Sequence, residues 1–113
     1  MKRDFKLRFN PQIYIDIQKT VDYYLQETGN DELGRRFVKT IKTELKWLSK
    51  SALHYQIRYD NIRFLPISSF SFIAHYRVDE ESNMVSVEAI IHTSESPDSW
   101  KERIWKHSKF LIF

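Results

Sequence analysis

The sequence predicts a two-layer α+β domain, on three observations. The chain has 113 residues, one domain's worth and too short for two independent cores. It opens with an alternating strand pattern followed by two amphipathic helical patterns. Its second half is rich in β-branched and aromatic residues set between short polar turns. The expected order is β-α-α-β-β-β plus a C-terminal helix, an antiparallel twisted sheet covered on one face by an α-helical hairpin. Residues 1–113 are expected to form that single domain, with no repeat, linker or low-complexity stretch.

Each element has its own reason. Residues 3–9 alternate, with Phe5, Leu7 and Phe9 against Lys6 and Arg8, the period of a half-buried strand. Asn10-Pro11 ends the strand and opens a helix, Asn as N-cap and Pro in the first turn. Ile13, Ile17, Val21 and Tyr24 form that helix's stripe to about Gln26. Gly29-Asn30-Asp31 breaks the chain, with Gly29 suited to a left-handed C-terminal position. A second helix starts near Asp31, with Leu33, Phe37, Ile41, Leu45 and Leu48 on one side. Arg35, Lys39, Lys42 and Lys46 fall on the other.

Residues 49–61 lose the helical period and read as a loop. Ile62–Ile67 then reads as a short strand, with Pro66 placing it at an edge or a bend. Phe70–Val78 and Met84–Ile91 read as a hairpin around the polar turn Asp79–Asn83. In the second of these strands, Val85, Val87 and Ala89 are expected on one face and Ser86, Glu88 and Ile90 on the other. Ser96-Pro97 repeats the cap-and-proline signal, predicting a helix to about Lys106. Phe110–Phe113 is too apolar for a free tail.

Composition excludes several function classes. There is no cysteine and the net charge is +3, so disulfide scaffolds, thiolate metal sites and thiol catalysis are excluded. The charged opening Met1–Lys6 does not suit a signal peptide, and no apolar run approaches the roughly 20 residues that span a bilayer. The expectation is a cytoplasmic protein without membrane contact. The two glycines, Gly29 and Gly34, cannot build a phosphate-cradling loop. His54, His75, His92 and His107 show no pairing at metal-ligand spacing, so neither metal nor cofactor is expected. His92 stands apart because it ends a strand where the chain leaves the sheet. Ser94 and Ser96 lie close to it, yet no oxyanion turn or matching acid accompanies them.

The clearest charge pattern lies on the second helix. Between Arg35 and Lys50 there are six basic residues and one acid, Glu44. Such a stripe is either a solvated helix face or the electrostatic footprint of an acidic partner or nucleic acid. Lys101, Arg103, Lys106 and Lys109 add a second basic region.

A series of segments resembles one family. Asp16-Ile17-Gln18 with Val21-Asp22-Tyr23-Tyr24 looks like the first helix of the RelE/ParE superfamily of bacterial type II toxins. Gly34-Arg35-Arg36-Phe37 is similar to the opening of their second helix, and Ile57–Arg63 to the following loop and strand entry. Phe72–Glu81 resembles the central strand and its acidic turn, and Ala89–Ser94 with Pro97 and Trp100 the last strand and exit. The matches run in order from about residue 5 to residue 103.

The resemblance implies a toxin neutralised by a cognate antitoxin in a hetero-oligomer, serving growth inhibition and plasmid stabilisation. The family divides into inhibitors of DNA gyrase and ribosome-dependent mRNA endoribonucleases. In the nuclease branch one arginine lies early in the central strand and another follows the last strand, where cations stabilise developing phosphate charge. Ile73 matches the first of these, and Ser94 and Glu95 surround the second. The expectation is therefore a ParE-like toxin that acts by binding. The alternatives are a RelE-type endoribonuclease, with His92, Tyr76 and Arg77 as candidate catalytic residues, and a toxin-derived domain that only binds. Arg35, Lys39, Lys42 and Lys46 are the expected partner-binding residues.

Overall fold

The computed structural model describes residues 4–97. Their elements are β1 (Lys6–Phe9), α1 (Gln12–Thr28), α2 (Glu32–Ser51), β2 (Ile57–Tyr59), β3 (Ile62–Pro66), β4 (Phe72–Asp79) and β5 (Met84–His92). The five strands form one sheet in the order β1-β5-β4-β3-β2. The two helices pack on one face of it. The expected C-terminal helix, the Phe110–Phe113 segment, His107 and the second basic region lie outside the described residues.

Local signals set the helix ends. Asn10 Oδ1 accepts the N–H of Gln12 at 2.9 Å, satisfying one of the orphan amides of the first turn. Gly29 takes φ 75° and its N–H reaches Leu25 O at 2.8 Å, the left-handed finish that glycine allows without strain. Asn30 Oδ1 then accepts the Glu32 N–H at 3.1 Å and so helps open α2. At Gly34 a Cβ would stand 3.1 Å from Val21 Cγ1. The missing side chain is what lets the two helices close on each other.

Phe37, Ile41, Leu45 and Leu48 of α2 bury against Leu65, Ala74, Tyr76, Val85, Val87 and Ile90 of the sheet. Leu33 is only half-buried, and Gly34 takes the inner place beside it. Phe37 anchors an aromatic cluster, with Tyr24, Phe70 and Phe72 at ring distances of 5.7, 5.1 and 5.2 Å. A smaller cluster of Ile62, Ala89 and Ile91 with Tyr59 and Phe64 occupies the opposite face.

Three expectations are corrected. Residues 49–61 are not a plain loop: α2 continues to Ser51, a 3-10 turn spans Ala52–His54, and β2 follows. The sheet is mixed rather than wholly antiparallel, because β1 pairs parallel with β5. These two differences share a cause. Each successive element reverses the chain, so the extra strand β2 changes the parity and sends β5 out in the same direction as β1.

The third correction is a bulge in β5. His75 pairs with Ala89 but Tyr76 with Val87, so Glu88 is an extra residue and the side-chain alternation shifts. Ile90 thereby joins the helix-covered core, and Ala89 turns to the opposite face. Pro66 lies past the reach of β2, which pairs only with Ile62 and Arg63, so its missing N–H disturbs no ladder on that side.

Candidate functional site

The helical hairpin carries a groove on its outer side. Val21 and Val38 form its floor, and Arg35, Lys39 and Lys42 stand on the α2 rim with Asp31 and Thr43. Tyr14, Val21 and Leu25 recur at i, i+7 and i+11 with the polar Gln18 between them, so α1 presents further apolar residues beside its buried stripe. Tyr14 and Leu25 are 63% and 46% exposed. Lys39, Lys42 and Lys46 are exposed on α2. Arg35 is exposed too, and its guanidinium pairs with Asp31 at 3.2 Å. Apolar floor and basic rim together suit an amphipathic segment carrying acidic residues.

The three candidate catalytic residues do not form one site. Tyr76 and Arg77 project to opposite faces of β4. Tyr76 is 0% exposed, and its hydroxyl donates to Ala52 O at 2.7 Å. Burial pushes that hydroxyl far above the ordinary phenol range, outweighing the lowering effect of Arg63. It is thus a neutral donor inside the core, out of contact with any substrate. Arg77 is half-buried on the opposite face and donates to Asp60 O at 2.8 Å. His92 pairs with Phe72 at the other end of β4, four residues and about 13 Å from Tyr76. Ile73 is half-buried on the face that carries Arg77, while Ser94 and Glu95 are exposed beyond β5.

Among known proteins, a solved structure of the chromosomal ParDE TA system from P. aeruginosa contains a similar chain. The two superpose with a TM-score of 0.68 at 21% identity, over 78% of this chain and 95% of that one. This chain has a ParE-like toxin fold. No family model matches the sequence, and no curated protein does.

In this ParE-like fold the sheet face away from the helices holds a polar pair that spacing along the sequence does not reveal. Tyr59 Oη lies 3.0 Å from His75 Nδ1, with the Phe64 ring 4.3 Å from the imidazole. Burial raises the Tyr59 hydroxyl far above its usual range, Arg77 opposes this, and Asp60 and Glu88 add to it. The neutral hydroxyl and the imidazole share one hydrogen bond, whose direction follows the ring tautomer. His75 is 2% exposed, a hydrogen-bonded core residue. His54 is exposed in the 3-10 turn.

Among the described residues, every buried side-chain nitrogen and oxygen has a hydrogen-bond partner. No group of three His, Cys, Asp or Glu in that range is placed to hold a metal ion, and no helix there is long and apolar enough to cross a membrane.

Proposed function

We propose that the protein is the toxin of a bacterial type II toxin–antitoxin module and acts in the cytoplasm. A cognate antitoxin lies across its helical hairpin and neutralises it in a hetero-oligomer. The observation that carries this reading is the outer groove of the hairpin, an apolar floor under a row of cations. The ParDE relative with the same fold supports it. An acidic amphipathic antitoxin segment would bury Tyr14 and Leu25 and face Arg35, Lys39, Lys42 and Lys46. The apolar contacts supply most of the affinity, and the cations set register and association rate.

Growth inhibition would follow from binding a cellular target such as DNA gyrase. Three features favour binding over RNA cleavage. Ile73, Ser94 and Glu95 put no cation where the nuclease branch has arginines. A carboxylate beside a scissile phosphate opposes the charge that builds in the transition state. Tyr76, Arg77 and His92 are spread over two faces and two ends of the sheet.

The test uses the full chain and the product of the adjoining reading frame. Charge reversal of Lys39, Lys42 and Lys46 to Glu should weaken the complex roughly 10- to 100-fold, with the on-rate falling most at low salt. Unchanged affinity and association rate would refute the groove as the antitoxin site. Expression in a bacterial host, with mapping of transcript 5′ ends and a supercoiling assay, tests the target. Growth arrest with intact transcripts and inhibited supercoiling is expected. Ribosome-dependent cleavage lost in His92→Ala would replace this reading with the endoribonuclease, and antitoxin binding without toxicity would replace it with a binding domain.

A further inference from the structure

A second concavity lies where α1 crosses the end of β5, away from the hairpin groove. Lys19, Thr20, Tyr23 and Tyr24 of α1 line it together with Phe72 of β4, His92 of β5 and Ser94 beyond it. Its volume is about 370 Å³, within the range of small-molecule sites. Nothing in the toxin reading uses these residues as a set.

The chemistry of the wall is one-sided. The backbone N–H of Ser94 donates to His92 Nδ1 at 3.0 Å, and Ser94 Oγ lies 2.7 Å from the same nitrogen. A backbone amide can only donate, so Nδ1 holds the lone pair and Nε2 holds the ring proton. The Phe72 ring, edge-on at 5.1 Å and 90°, fixes the imidazole plane. Thr20 Oγ1 directs its own proton to Asp16 O at 3.0 Å. The other polar groups of the lining are the Lys19 ammonium, the Nε2–H of His92 and the Tyr23 and Tyr24 hydroxyls. Among the described residues lining the cleft there is no carboxylate; Glu95, which would oppose a phosphate placed beyond Ser94, is not part of this lining. Donors without an opposing acid select an anion of the phosphate type.

The rest of the cleft is aromatic. Tyr23 is 58% exposed, and Tyr24 stands behind it at a ring distance of 5.9 Å. An exposed ring next to a cation is the pairing that stacks a base while its phosphate is held. We propose that this cleft binds a nucleotide: Lys19 and His92 hold the phosphate and Tyr23 stacks against the base. The source is either a free mononucleotide or the phosphorylated end of a strand, since both offer the same ring and the same dianion.

The full-length protein should be titrated with uridine 5′-monophosphate, inorganic phosphate, and a uridine pentanucleotide with and without a 5′-phosphate. Binding is read from the His92 ring resonances, assigned with His92→Gln. We expect saturable shifts with the mononucleotide in the millimolar range or tighter, and weaker ones with inorganic phosphate. Lys19→Gln should weaken binding about fivefold, the scale of an exposed charge pair. Tyr23→Ala should weaken the nucleotide several-fold and leave inorganic phosphate unchanged, because stacking serves the base alone. Both residues are exposed, and unchanged amide spectra will verify that the variants fold. Preference for the phosphorylated pentanucleotide identifies a strand end, and binding of the mononucleotide but of neither pentanucleotide identifies the free nucleotide; each supports the site, whereas equal binding of the two pentanucleotides counts against a held phosphate. No saturable shift at about 10 mM, or equal binding of inorganic phosphate and nucleotide, would overturn the proposal.

Discussion

The two faces of the sheet are built on different principles, and β4 shows both within two adjacent residues. Tyr76 faces the helices among Phe37, Leu48, Val85 and Val87, and its hydroxyl meets one backbone carbonyl. His75 faces the other way, among Tyr59, Phe64 and the bulge that carries Glu88. The helix-covered side is held by hydrocarbon volume, which is non-directional and summed over many contacts. The opposite side combines the smaller apolar cluster of Ile62, Ala89 and Ile91 with a few directional contacts, each dependent on a particular partner. The first arrangement tolerates a change of shape better than a loss of volume. The second is more sensitive to the identity of each partner than to volume.

The largest expected effect tests the volume side. Phe37→Ala should destabilise the fold by about 3–5 kcal/mol, because a fully buried ring among three other aromatics leaves a cavity its neighbours cannot fill. That is a large share of a typical domain's stability. Phe64→Ala on the opposite face should lose only about 1–2 kcal/mol, since Phe64 is half-buried. Urea unfolding of both variants checks this. Equal losses would mean that the two faces contribute volume alike, and the comparison would fail.

Those two faces were not equally legible in the sequence. The helix-covered side follows from period alone: the α2 stripe, the Asn10 cap and the Gly29 stop can each be read from spacing. The parallel pairing of β1 depends on β2, three residues long and set within a stretch with no clear pattern. The Glu88 bulge reverses an alternation that otherwise reads cleanly. The basic row of α2 is visible because its spacing is helical. The outer residues Tyr14, Val21 and Leu25 have the same kind of spacing, but they share Val21 with the inner stripe and are masked by it. The Tyr59–His75 pair joins residues brought together only by strand register. The cleft around His92 joins α1 to β5 across some seventy residues of sequence. Local period carries no information about either.

Tyr76→Phe isolates a fully buried polar contact of the helix-covered side. The change keeps the ring and removes a hydroxyl bonded to the carbonyl of the fully buried Ala52. The expected loss is about 1–3 kcal/mol, mostly the penalty of leaving that carbonyl unpaired. Because the side chain is buried, antitoxin affinity should not change once the variant is folded. A change in affinity with intact stability would move Tyr76 from the core to a functional role.

Tyr59→Phe makes the matching cut on the opposite face, and its expected loss at neutral pH is smaller, about 1 kcal/mol for a half-buried bond. Alkaline pH sharpens the contrast. The Tyr59 and Tyr76 hydroxyls are both raised in the folded state above the ordinary phenol value of about 10, chiefly by burial. Above pH 10 the unfolded chain releases those protons while the folded chain retains them. The unfolded state then binds fewer protons, so stability falls as pH rises from about 10 toward the raised folded values. Below pH 10 both states are protonated and this contribution is flat. Urea midpoints between pH 8 and pH 11 should therefore decline for the parent chain. They should decline less steeply in either Tyr59→Phe or Tyr76→Phe, and least in the double variant. If Tyr59→Phe leaves the alkaline slope unchanged while Tyr76→Phe flattens it, only the helix-covered face restrains its hydroxyl. The polar pair on the other face would then be open to solvent, and the division of labour between the two faces would be wrong.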